Sequence, residues 1–304
     1  MNTDLRNLVL TAVMDPGFLA SLGPGMTMLE CCNTSVAEIM VQSALLNVMV
    51  RAAHKAARGL KRDFGEVERL QVSLKGPGNF VTAADHRAEE VLRTELAKAR
   101  PGYGFLGEEG GRTQGTDKTH TWIVDPLDGT TNFLHGIPQF AISIALARDG
   151  AIVAGLVYNP ATDELYTGER GKGAFMNDRR LRVAARRGLG DAVVACGLPH
   201  HGRGDLTQFR NEITAVQSQV AGLRRFGSAT LDLAWVAAGR FDGYWERNLS
   251  PWDMAAGLLL VREAGGFVTD LDGGEAMLEK GHIIAGNESM HGSLLELLKG
   301  AASA

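Results

Sequence analysis

The sequence predicts an α/β protein in which an α+β half is followed by an α/β half. Three observations support this. Apolar residues recur at helical spacing from Ser43 onward, short apolar runs joined by turn pairs fill the middle, and strand and helix patterns alternate through residues 193–269.

Taken in order, Leu45, Leu46, Met49, Ala53, Ala56 and Leu60 fall three and four residues apart, which predicts an amphipathic helix with a cationic outer face. A second helix is expected over residues 82–99, with Val91, Leu92 and Leu96 facing inward and Pro101-Gly102 ending it. Residues 103–106 and 122–124 read as buried strands. Residues 140–148 and 152–158 flank the turn pair Asp149-Gly150 and read as a hairpin, and a turn at Asn159-Pro160 leads to another antiparallel strand at 164–166. The second half gives strand 193–196, helix 206–220, strand 224–226, helix 230–238, strand 243–245, helix 251–264 and strand 267–269. A basic, glycine-containing stretch at 183–190 separates the two patterns. The expected organisation is an N-terminal extension (1–38) that is poorly ordered and outside the core, an α+β domain (39–185) and an α/β domain (186–304).

Composition excludes several classes. The 304 residues, 45% of them hydrophobic and 22% charged, suffice for one large domain or two smaller ones. A net charge of -4 gives no basic footprint for nucleic acid, so direct nucleic acid binding is not expected. Cys31, Cys32 and Cys196 lack the spacing of a zinc site or a disulfide framework, which fits a reducing, cytoplasmic compartment. No apolar run approaches the roughly 18 residues of a membrane span. The stretch 8–14 is stopped by Asp15-Pro16-Gly17, and Glu30 before Cys31 argues against a lipoprotein cleavage site.

The stretch richest in chemistry is Trp122-Ile-Val-Asp125-Pro126-Leu127-Asp128-Gly129-Thr130-Thr131-Asn132-Phe133. A buried strand ends in a carboxylate, proline bends the chain, and a second carboxylate follows three residues later. Carboxylates gathered this closely need a cation or a shared proton, and oxygen-only ligands select a hard ion, magnesium first. Gly129 and Thr130 then open a short helix whose N–H groups suit a phosphate dianion. Gly107-Glu108-Glu109-Gly110 sets further acids at the end of a strand, a pattern that by itself also reads as a solvated turn. Ser250-Pro251-Trp252-Asp253 starts a helix, where Asp253 has either a site role or a capping role. Thr82 and Asp85 carry the same ambiguity.

Together, Gly-Glu-Glu, then Trp-Ile-Val-Asp-Pro-Leu-Asp-Gly-Thr-Thr-Asn-Phe, then Pro-Trp-Asp-Met-Ala-Ala-Gly with the later Glu263-Ala264-Gly265-Gly266, resemble the inositol monophosphatase family in order and spacing over residues 43–298. The resemblance implies a layered αβαβα sandwich, shared with fructose-1,6-bisphosphatases, and magnesium-dependent hydrolysis of inositol monophosphate or a related polyol phosphate without a phosphoenzyme. It implies two to three Mg2+ per site. Glu108 and Asp125, with the Leu127 carbonyl, would hold one, Asp125, Asp128 and Asp253 a second, and a third, weaker ion would lie near Glu108. Gly129 and Thr130 would bind phosphate, and Asp85 with Thr130 would position the attacking water. Gly227, Ser228 and Ala229 would wall the sugar ring, and Glu246 would accept a substrate hydroxyl. Asn79 stands where relatives usually carry Asp, which bears on the weakest metal site and on lithium sensitivity. Thr131-Asn132-Phe133-Leu134-His135 looks like the inositol phosphatase branch rather than the nucleotide-cleaving relatives; the alternative is another phosphatase of the same superfamily, a fructose-1,6-bisphosphatase or a 3′-phosphoadenosine phosphatase. Arg224 to Ala229 resemble bacterial relatives that also act in transcription antitermination, which implies a transcription-machinery partner beside a homodimer. Gly171-Lys172-Gly173 and Asp270-Leu271-Asp272-Gly273 read as hairpin turns, and His200-His201 as solvated loop residues.

Overall fold

The computed structural model describes residues 43–64, 72–76, 79–199 and 204–302, with the segment 72–82 described by its backbone alone. The expectations for residues 1–38, Cys31, Cys32, the Asn79 side chain and His200-His201 lie outside what is described. The periodic stretch after Ser43 forms α1 (Ala44–Phe64), burying Leu46, Met49, Ala53, Ala56 and Leu60 along one stripe. A hairpin, β1 (Val72–Gly76) and β2 (Asn79–Thr82), leads into α2 (Ala83–Ala99), which packs beside α1. Then come β3 (Gly104–Gly107), β4 (Gly111–Thr113), β5 (His120–Asp128) and the short helix α3 (Thr130–Leu134). The meander β6 (Ala141–Arg148), β7 (Ala151–Asn159), β8 (Glu164–Glu169), β9 (Gly173–Met176) and β10 (Arg179–Arg180) follows. Among the described residues these strands form an eight-stranded sheet of order β10-β9-β8-β7-β6-β5-β3-β4, with β3 and β5 parallel and the other neighbours antiparallel.

The second half supplies β11 (Val193–Cys196), α4 (Leu206–Gln217), β12 (Gly222–Arg224), α5 (Ala229–Ala237), β13 (Gly243–Arg247) and α6 (Pro251–Glu263). It closes with β14 (Phe267–Thr269), α7 (Met277–Lys280), β15 (His282–Gly286) and α8 (Glu288–Ala302). Its five strands run β12-β11-β13-β15-β14, the first three parallel and β15 antiparallel to both neighbours.

Side-chain alternation sets the layers. On β6, Ile142, Ile144 and Leu146 join the core under α1 and α2, while Ala141, Ala145 and Ala147 join the core of α5 and α6. On β13, Tyr244 faces that same central core and Trp245 faces the core of α4 and α8. Helices α5 and α6 are apolar nearly all round because a sheet covers each side. The result is a layered αβαβα sandwich. Small residues let the central layer sit close: a Cβ on Gly155 of β7 would lie 2.9 Å from the Ala256 carbonyl oxygen of α6.

Several expectations shift. Strand β5 does not end at Asp125 but runs through Pro126 to Asp128, with a slip of register against β6 that leaves the proline in a bulge, where its missing N–H costs no ladder bond. Strand β12 spans 222–224 rather than 224–226, and α4 stops at Gln217. The turn at Gly171-Lys172-Gly173 joins β8 to β9 as expected. Asp270-Leu271-Asp272-Gly273 is not a hairpin turn. The Asp270 carboxylate accepts the N–H groups of Asp272 and Gly274 and the Lys280 ammonium, and α7 intervenes before β15.

Candidate active site

The parallel strands β3 and β5 end side by side, the position at which open α/β sheets present ligand-binding groups. Gly107 pairs with Val124, and the Glu108 N–H donates to the Val124 carbonyl at 3.2 Å, so Glu108 leaves its strand next to Asp125. Asp125 lies opposite Ser143 and Asp128 opposite Ala141, three residues of β5 spanning two of β6. Asp125 is 1% exposed, and its Oδ1 accepts the Leu127 N–H at 2.8 Å.

Asp253 reaches the same place from the first turn of α6. Its Oδ2 accepts the Ser250 N–H at 2.7 Å, and Pro251 occupies the start of the helix. The hydroxyl of Ser143, the partner of Asp125 on β6, donates to the Trp252 carbonyl at 3.2 Å, fastening this helix end beside β5. Capping uses one oxygen of Asp253, so the capping and site readings are compatible.

Asp128 sits at the N-terminus of α5. Its Oδ2 accepts from the Ser228 hydroxyl at 2.6 Å, the Thr230 N–H at 2.8 Å and the Thr230 hydroxyl at 2.6 Å, and the Ala229 N–H also donates to the carboxylate. Ser228, expected at the substrate wall, is thus buried with its hydroxyl committed to Asp128. Thr230 and Ser143 were missed from sequence. A readable signal existed for Thr230, which with Asp232 is one of two polar side chains in a helix of otherwise apolar residues, and a buried polar group needs a partner.

Helix α2 brings Asp85, 1% exposed, against Thr130, whose hydroxyl faces Asp85 Oδ1 at 3.2 Å and the Leu127 carbonyl at 3.1 Å. One proton serves one of these acceptors at a time. Between them Gly129 takes φ 88°, and a Cβ there would lie 2.8 Å from the Gln139 carbonyl oxygen, so only glycine fits. Asn132 ties α3 to the second half by donating to the carbonyls of Gln139 and Phe226 at 2.8 and 2.7 Å. Glu246, at the end of β13, accepts a hydrogen bond from the buried Tyr244 hydroxyl.

The electrostatics bind these pieces into one site. Burial, then the charges of Glu108, Asp128 and Asp253, push the Asp125 carboxyl well above the usual range. Burial and the Asp128 charge do the same to Asp253, with Glu108 and Glu246 adding to it. Burial also raises Asp128, opposed by its Ser228 and Thr230 donors. Among the described residues no three Asp, Glu, His or Cys side chains stand in ready-made coordination geometry. The donor set nonetheless fits a hard cation: it is all oxygen, and its members destabilise one another's charge, which a divalent ion would offset. Asp232, buried on α5, is raised by burial and by Glu246 and Asp128, and extends this acidic field toward the five-stranded sheet.

Fold and site together define a class: a layered sandwich whose acids, one buried and three half-buried, come from two parallel strand ends and one helix start and converge beside a glycine turn. The model of the inositol monophosphatase family matches residues 41–303. An "Inositol-1-monophosphatase" of Mesorhizobium japonicum is 65% identical over 265 residues, covering 87% of this chain and all of that one. The crystal structure of "extragenic suppressor protein suhB" from Bartonella henselae is 60% identical, with a TM-score of 0.82 over 84% of this chain and 99% of that one. The "Nus factor SuhB" of Pseudomonas aeruginosa is 43% identical over 84% of this chain and 96% of its own length. The chain belongs to the inositol monophosphatase family, and its reaction class is that of a phosphatase.

Proposed function

We propose that this chain is a magnesium-dependent phosphatase that hydrolyses inositol monophosphate, or a closely related polyol phosphate, to the alcohol and inorganic phosphate. The observation that carries the reading is the meeting of Asp125 and Asp128 on the β5 bulge with Glu108 from the end of β3 and Asp253 from the start of α6, close enough that neighbouring acids raise both Asp125 and Asp253. Glu108, Asp125, Asp128, Asp253 and the Leu127 carbonyl would hold the metal. Bound there, magnesium supplies Lewis acidity toward the phosphoryl and leaving oxygens. The protein's own part is positional. Gly129 and Thr130 offer backbone N–H groups to the phosphate, and Thr130, with its proton directed to Asp85, turns a lone pair toward the attacking water. Attack of water forms one P–O bond as the ester P–O bond breaks, the departing alkoxide takes up a proton from solvent as the attacking water releases one, and no protein side chain carries the phosphoryl group. Glu246, braced by Tyr244, accepts a hydroxyl of the polyol, with Gly227 and Ala229 beside it.

Phosphate release tests this directly. With magnesium, inositol 1-phosphate is expected to be hydrolysed in preference to fructose 1,6-bisphosphate and to 3′-phosphoadenosine nucleotides. Preference for either of the others would redirect the substrate assignment, and no release from any would overturn the reading. A second role in transcription is supported by the exposed pair Arg224 and Arg225 and by likeness to the protein named Nus factor SuhB. An Asp128→Asn chain would lose hydrolysis and keep any such partner. Homodimerisation, which the family likeness supports, is read by sedimentation.

A further inference from the structure

Helix α2 sends a second buried carboxylate toward the site, one turn after Asp85 on the same face. Glu89 is 4% exposed. Its Oε2 accepts the Glu109 N–H and its Oε1 the Gly110 N–H, both at 2.8 Å. With the Glu108 N–H on the Val124 carbonyl, three consecutive backbone donors are engaged, and the peptide planes flanking Glu108 are fixed. Arg93, one further turn along α2, lies 3.4 Å from Glu89 Oε1, donates to the Thr113 hydroxyl of β4 at 2.8 Å, and covers the Phe105 ring of β3 at 4.3 Å.

The glycines of Gly107-Glu108-Glu109-Gly110 acquire a different meaning here. A Cβ on Gly107 would collide with the Glu89 carboxylate, and one on Gly110 would lie 2.5 Å from Arg93 Nη2 and 2.6 Å from Glu89 Oε1. Both are small because the Glu89 carboxylate, with Arg93 beside it at Gly110, passes next to them. Resting on the magnesium phosphatase reading, we infer that Glu89 is a positioning residue for the cation site, aiming Glu108 by fixing the turn that carries it. Helix α2 is then a two-pronged brace, with Asp85 on the water-orienting threonine and Glu89 on the metal-binding turn.

Calorimetric titration with magnesium alone tests this on the wild type, Glu89→Gln, Gly110→Ala and the exposed control Glu90→Gln. Glutamine offers one acceptor for two N–H groups, and the Gly110 methyl presses on the Arg93–Glu89 pair, pushing the carboxylate off the turn together with its guanidinium partner. Both variants are expected to weaken magnesium binding by about tenfold or more, the scale of lost partners behind a metal ligand. The magnesium needed for half-maximal rate should rise by the same factor, while KM for the ester at saturating magnesium stays within about twofold, and Glu90→Gln matches the wild type. Wild-type magnesium affinity in both variants, even with a lowered unfolding temperature, would overturn the inference. Should Glu89→Gln not fold, Gly110→Ala decides alone. A wild type that binds no magnesium would sink the phosphatase reading and this inference with it, whereas binding unchanged by either variant sinks the inference only.

Discussion

Asp125 concentrates the tension of the site in one residue. It is buried, its Oδ1 is bound by a single backbone N–H, and three other acids act on it. Asp125→Asn keeps the shape and an acceptor for the Leu127 N–H while removing the repelled charge. Metal-free Asp125→Asn is therefore expected to be more stable by about 1 kcal/mol, roughly 2–4 °C in Tm, while losing hydrolysis and any magnesium-induced rise in Tm. A fall in metal-free Tm by scanning calorimetry would contradict this. Asp85→Asn should act differently, lowering kcat while magnesium affinity stays close to wild type, because Asp85 touches Thr130 and belongs to the water-orienting pair. The four acids Glu108, Asp125, Asp128 and Asp253 were picked out by the resemblance of their surrounding motifs to the family; position alone left Glu108 readable as a turn residue and Asp253 as a helix cap. The serine and threonine around them were not. Nothing in a sequence says that Ser143 will face Asp125 across a sheet, or that Ser228 and Thr230, about a hundred residues from Asp128, will close on its carboxylate.

At the scale of elements, the site is a bulge in β5 held between two helix starts. Long periodic stretches were legible: α1 and α6 follow from apolar spacing and caps, and the β6–β7 hairpin from its Asp-Gly turn. Short ones were legible only in part: β11 and β14 fall where expected, whereas β9, β10 and β15, with two to five residues, went unseen, and the bulge itself depends on pairing with β6. The turn after the bulge is the most constrained piece. Gly129→Ala would force a methyl into left-handed backbone and against the Gln139 carbonyl, so a loss of about 1–3 kcal/mol by denaturant unfolding is expected, together with loss of hydrolysis. Unchanged stability would show that the turn can relax. The layered architecture was readable only in part: alternation marks which residues are buried, but that α5 and α6 are shared by both sheets emerges only from the contacts.

For the whole molecule, two groups of carboxylates set opposite dependences on pH. Burial pushes Asp270 up, but Lys280 and two backbone N–H groups more than offset it and hold it down at about 2, so its stabilisation is present above the unfolded value of 3.8 and lost as pH falls toward 2. Asp125, Asp128 and Asp253 are raised, so their folded forms keep protons that the unfolded chain has released. Their contribution is complete below the unfolded value and is lost as pH rises through the raised folded values. The metal-free protein should therefore have a higher Tm near pH 5 than near pH 7.5. Saturating magnesium should raise Tm chiefly at the higher pH, where the acids are ready to bind it. A metal-free Tm that climbs steadily toward neutrality would contradict the assignment of these acids as a repelling cluster. Among the described residues no helix is long and apolar enough to cross a membrane.

The most direct measurement is a crystal grown with Mn2+ in place of Mg2+ and inositol monophosphate, read by anomalous scattering. Peaks in contact with Glu108, Asp125, Asp128 and Asp253, with phosphate beside Gly129 and Thr130, are the predicted result. Metal bound elsewhere in a catalytically competent crystal, with these four side chains untouched, would contradict the account.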